Sequence, residues 1–199
     1  MLSKEKPTLV LSDHPPLQRM LPVLREFFLG GDGFVVSDHS MTLFANIFRI
    51  GLIPVYRDPS KAETLTNGEE YKQKILAVMG KITNSKPKYE HQGKAVTDQV
   101  LDALQGQGNK VFIAPAGVTN KVSPWKPGVS HILTEAGIKQ QDFALSFVYI
   151  PDSFREKFSY ILFESWTQVL DSLPVEWGDN HRQNAQSLQV FYESLRETK

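Results

Sequence analysis

Val96-Thr97-Asp98-Gln99-Val100-Leu101-Asp102-Ala103-Leu104 runs through Gly106-Gln107-Gly108-Asn109 into Lys110-Val111-Phe112-Ile113-Ala114. Apolar side chains at 96, 100, 101 and 104 recur at the spacing that lines one face of a helix. Glycine at 106 and 108, with Asn109, stops that helix. The run that follows is short, unbroken and apolar, as expected of a central strand covered on both faces. A helix delivering the chain into a buried strand implies an α/β domain, with a mostly parallel mixed sheet flanked by helices.

The same alternation continues in both directions. Upstream, Leu17, Met20, Leu21, Leu24, Phe27 and Phe28 mark a helix with Pro22 in an early turn, and Gly30-Gly31-Asp32-Gly33 breaks it. Phe34-Val35-Val36-Ser37 reads as a short strand, and Leu43, Phe44, Ile47 and Ile50 as a helix face ending near Gly51. Leu52 to Arg57 is the next strand, closed by Asp58-Pro59. Residues 58–94 are more polar, with a helix expected over Glu69 to Ile82 and a loop over Asn84 to Gly93. Downstream, Pro115 to Pro127 forms a long loop of the kind that carries sites on α/β scaffolds. Val129, Ile132, Leu133 and Ala136 give a helix closed by Gly137, and Phe143 to Ile150 and Phe158 to Phe163 give strands. Leu188, Phe191, Tyr192 and Leu195 place a closing helix. The 199 residues fit a single domain, 1–199.

Composition narrows the function classes. Basic and acidic residues balance at 22 each, so the overall field favours no nucleic-acid partner. With no cysteine there is no disulfide framework, thiolate metal site or thiol nucleophile. The N-terminal Met1-Leu2-Ser3-Lys4-Glu5-Lys6-Pro7 meets no apolar core of a leader, and Asp13-His14-Pro15-Pro16 interrupts the short apolar stretch beyond it. A cytoplasmic protein is therefore expected. The most apolar region, Met41 to Tyr56, contains Asn46, Arg49, Gly51 and Pro54, well short of the ~20 uninterrupted residues of a span. Any meeting with a membrane would be peripheral, at its surface.

Of the five histidines, His39 stands at a strand-to-helix junction, where side chains emerge at the carboxyl end of a sheet. An imidazole there suits a general base near neutral pH, and equally a helix cap. His14, His91, His131 and His181 show no ligand spacing, so no metal site is expected. Arg57 ends a strand and either pairs with Asp58 or binds an anion. Lys121 and Lys126 lie in a polar loop, solvated or touching ligand, and Trp125 reads as a loop anchor packed on the core. Asp98 and Asp102 read as a solvated helix face.

The order strand–His39–helix, strand–Arg57, strand–Pro115-Ala116-Gly117, then Lys126-Pro127-Gly128–helix resembles the glycerolipid acyltransferase superfamily, over roughly residues 30–165. That group contains the lysophosphatidic acid and glycerol-3-phosphate acyltransferases. The later Phe147-Val148-Tyr149-Ile150-Pro151 is similar to the family's closing apolar block. The resemblance implies a catalytic His39 and a phosphate-binding Arg57. It also implies substrate contacts at Gly117, Thr119, Lys121, Lys126 and Gly128. Two positions depart from the family pattern: Phe44 stands where an aspartate orients the histidine, and Ala116 where a glutamate is usual.

What the resemblance implies is transfer of a fatty acyl group from a thioester, acyl-CoA or acyl carrier protein, to a lysophospholipid or related phosphorylated alcohol. No permanently bound cofactor is implied. Phe44 and Ala116 leave open a non-catalytic protein of the same fold that binds lipid or acyl carrier. Phe44 also leaves open an acceptor without phosphate.

Overall fold

The computed structural model describes residues 6–13, 19–20, 22–23, 33–37, 50–54, 95–116, 123–151 and 157–197. The strands are β1 (Thr8–Ser12), β2 (Gly33–Ser37), β3 (Gly51–Pro54), β4 (Lys110–Ile113), β5 (Ala144–Tyr149) and β6 (Ser159–Phe163). The helices are α1 (Val96–Ala103), α2 (Gly128–Ile138), α3 (Trp166–Asp171) and α4 (His181–Glu197). The strands form one six-stranded sheet in the order β3-β2-β4-β1-β5-β6. All neighbours are parallel except β6, which runs antiparallel to β5 at one edge. The α/β expectation with a mostly parallel mixed sheet holds.

The Thr8–Ser12 strand is the main addition to the sequence reading, and it lies in the middle of the sheet. Every residue of Thr8-Leu9-Val10-Leu11-Ser12 is buried, because β1 has strands on both sides and cover on both faces. Its alternate side chains divide between two cores, as the twofold period of a strand requires. Leu9 and Leu11 join Val111, Ile113, Leu145 and Phe147 beneath α1, α2 and α4, where Leu101, Leu133 and Leu188 pack. Val10 joins Val35, Phe112, Val148 and Ile150 on the opposite face, with Met20, Val23 and Ile50.

These two cores fix where a site can form. After β1 the chain passes to helical residues at Met20 and Val23, which pack on the second face. After β4 it passes to α2, which packs on the first face. Neighbouring parallel strands whose helices leave to opposite faces open a crevice at their carboxyl ends, the usual ligand position of open α/β sheets. In this sheet that point lies between β1 and β4. Among the described residues no helix is long and apolar enough to cross a membrane. Of the helix expected from Leu43 to near Gly51, residues 43–49 lie outside the described residues, Ile50 is not helical and Gly51 already begins β3, so that helix ends before Ile50. The helix expected over 69–82 lies outside the described residues.

Candidate functional site

The edge is built from the ends of β1, β4 and β5 and the segment entering α2. Beyond β4, Pro115 accepts a hydrogen bond from the backbone N–H of Lys126 at 3.1 Å. That bond brings Lys126 and Gly128 back to the carboxyl end of the strand. Trp125 N–H donates to Gln189 Oε1 of α4 at 2.9 Å, and its ring, 2% exposed, lies 5.2 Å from that of Tyr192. Packing of Trp125 on the core, expected from its type and loop position, is what is observed. Lys126 and Gly128 stay exposed, and a Cβ added at Gly128 would meet nothing within 4 Å among the described residues. The first turn of α2 has no side-chain cap and no acidic residue, so its positive end beside Lys126 carries no compensating side chain of its own.

Asp13 follows β1 directly and is tied to α4. Tyr192 Oη lies 3.2 Å from Asp13 Oδ2 and 3.1 Å from Val148 O, and its single proton serves one of these acceptors at a time. Tyr149 Oη donates to Tyr192 O at 2.6 Å, and the two rings stack with centroids 4.6 Å apart. Burial first, then the neighbouring Asp13 charge, pushes both phenols well above the ordinary tyrosine value. Both therefore act as neutral hydroxyl groups that hold the edge in place.

Of the residues singled out from sequence, His39, Arg57, Gly117, Thr119 and Lys121 lie outside the described residues, as does Phe44. The strands that lead to them are described. β2 ends at Ser37, two residues before His39; β3 ends at Pro54, three before Arg57; β4 ends at Ile113, four before Gly117. These are three adjacent parallel strands, so their carboxyl ends share one edge. Ala116, in the position of the usual glutamate, is buried at 4% exposure. Asp98 proves to be ion-paired rather than simply solvated, with Lys139 Nζ at 2.8 Å from Oδ1.

Sequence reasoning passed over Asp13, Tyr149 and Tyr192. One signal for Asp13 was available. Ser12 ends β1 and Ser37 ends β2, the two neighbours of β4, and each serine is followed in sequence by Asp-His. No protein-family model, curated protein or solved structure matches the chain.

Proposed function

We propose that this chain is an acyltransferase that moves a fatty acyl group from an acyl thioester to a lysophospholipid or related phosphorylated alcohol. The observation that carries the reading is the order of strand ends. β3, β2 and β4 are parallel neighbours, and in sequence they run on into Arg57, His39 and Pro115-Ala116-Gly117. A base, an anion-binding guanidinium and a glycine-bearing loop thus follow one sheet edge, where α/β sheets hold ligands.

The chemistry suits those residue types. An alcohol is a weak nucleophile at neutral pH, and His39 takes its proton as the oxygen attacks the thioester carbonyl. A carbon–oxygen bond forms, the tetrahedral oxyanion collapses, and the carbon–sulfur bond breaks. The thiol leaves with the proton that His39 returns. Backbone N–H groups around Gly117 and Thr119 stabilise the oxyanion. Arg57, Lys121 and Lys126 hold the acceptor phosphate, with the N–H groups of the helix start at Gly128 adding to the anion site. Coenzyme A or acyl carrier protein serves as donor, and the membrane surface that holds the acceptor is the natural place of work.

A second reading draws on Ala116. A buried methyl group stands where the family carries a carboxylate, and Phe44 removes the partner that would orient His39. On that reading the protein binds lipid or acyl carrier without turnover. Acyl transfer from long-chain thioesters to lysophospholipids, run on the wild type and on His39→Ala, separates the two. Transfer lost in the folded variant supports the enzyme. Lipid retention without transfer by either protein supports the binder. Transfer that persists in the variant removes His39 as the base.

A further inference from the structure

The first turns of α2 and α4 meet at two imidazoles. His131 and His181 have ring centroids 3.7 Å apart and planes inclined by 35°. Beneath them Ser130 is fully buried, with Oγ 3.0 Å from His181 Nδ1. We propose that this pair is an acid-sensitive clasp, which joins α2 to α4 while the rings are neutral and loosens them when the rings take up protons. The inference stands apart from acyl transfer and does not need it.

His131 is exposed and His181 half-buried, so water solvates an added charge in part, but among the described residues no carboxylate pairs with either ring. On α2, Glu135 lies one turn beyond His131, but its Oε1 faces Lys139 Nζ at 3.4 Å. Asp98 of α1 also serves Lys139, towards the far end of α2. Arg182 follows His181 on α4, and Lys126 precedes α2. Glu176 and Asp179, in the segment before α4, are exposed and make no contact with either ring among the described residues. Both rings also sit at helix N-termini, where the backbone dipole disfavours a cation. Burial first, and then the charge of His181, holds the His131 imidazole below its ordinary value. The native state thus binds fewer protons than the unfolded chain. The stabilisation is complete above about pH 6.5 and is lost as the pH falls below it.

The clasp is connected to the sheet edge at its other end. The segment entering α2 is held to α4 by Trp125 N–H on Gln189, and α4 supplies Tyr192 to Asp13. Separating the first turns of α2 and α4 therefore strains the bond that keeps Lys126 beside Pro115. Protonation also reverses the contact to Ser130, because a protonated Nδ1 can only donate.

The test is amide hydrogen exchange on the full chain, corrected for intrinsic rate, beside NMR titration of the histidine Cε1 protons. Between about pH 7.5 and 5, protection of the Trp125 amide and of the first turns of α4 should fall by roughly tenfold or more, the factor that about 1.4 kcal/mol corresponds to. In His131→Gln, which removes the contact between two charged rings but keeps the Ser130–His181 contact, the fall should be clearly smaller. The wild-type rings should titrate as a coupled pair in two steps, the lower one below the ordinary histidine value. An equal fall in both proteins, no fall in either, or independent ring titrations at ordinary values would overturn the clasp. Should His131→Gln loosen the helices at neutral pH by itself, the wild-type titration still decides.

Discussion

Trp166 and Trp177 donate their indole N–H groups, to Gln141 O at 2.9 Å and Thr134 Oγ1 at 3.1 Å. Trp125 Nε1 is buried and has no acceptor among the described residues. An unmet buried donor costs about 1–3 kcal/mol, whereas removing it costs only the lost ring contacts. Both Trp125 and Trp166 are nearly fully buried, at 2% and 6% exposure, so replacing each by phenylalanine removes a comparable share of ring. Trp125→Phe should therefore destabilise less than Trp166→Phe, by about 1 kcal/mol, since only the second change strands a carbonyl. Urea unfolding of the two variants checks this. Equal losses would mean that the Trp125 N–H is satisfied after all.

Among the elements, α3 shows how a short helix is held. Ser165 caps it, its hydroxyl accepting from Thr167 N–H at 3.3 Å while Gln168 Oε1 accepts from Ser165 N–H at 3.4 Å. The same hydroxyl donates to Asp142 Oδ1 at 2.6 Å, and Lys6 Nζ reaches Oδ2 at 2.8 Å. Burial alone would raise the Asp142 carboxyl, but the bonds from Lys6 and Ser165 outweigh it and leave the group below its ordinary value. Stability from this carboxylate is thus present above about pH 4 and lost as the pH falls through and below that point. Ser165→Ala should cost about 1 kcal/mol at neutral pH. The gap to wild type should narrow below about pH 4, leaving the cap alone. Denaturant unfolding at both pH values tests this, and a gap independent of pH would remove the Asp142 contribution. The sequence carried the Ser165-x-x-Gln168 signal of this cap, although the helix itself is only six residues long. Strands β2 to β6 and helices α1, α2 and α4 were legible because their apolar runs and faces are bounded by Gly, Pro or polar residues. β1 was not, since Thr8-Leu9-Val10-Leu11-Ser12 is short and stands between Pro7 and a polar, proline-rich stretch of sequence. Asp13 and Tyr192 meet across 179 positions, a contact that no local pattern encodes.

For the molecule as a whole, the second face of the sheet is where stability can be tested against the proposed ligand binding. That core is made of Val10, Val35, Phe112, Val148 and Ile150 with Met20 and Val23. By strand alternation Ser146 and Ser12 point to the same face. Both are fully buried, and neither hydroxyl has a hydrogen-bond partner among the described residues. Ser146 pairs with Val10 in the body of the sheet, whereas Ser12 pairs with Val148 at the carboxyl end, next to the crevice between β1 and β4. Replacing an unmet buried hydroxyl by a methyl group should be neutral or stabilising, by up to about 1–2 kcal/mol. Ser146→Ala should show that gain alone, with lipid or thioester binding unchanged. Ser12→Ala should show the same gain, with affinity lowered about tenfold through loss of a hydrogen bond to ligand worth about 1 kcal/mol. Thermal unfolding and lipid retention, measured on both variants, give the comparison. Sites that bind ligands commonly carry such uncompensated polar groups at some expense of stability. If both serines behave alike, the edge position of Ser12 has no part in ligand binding, and the carboxyl end of β1 serves the fold alone.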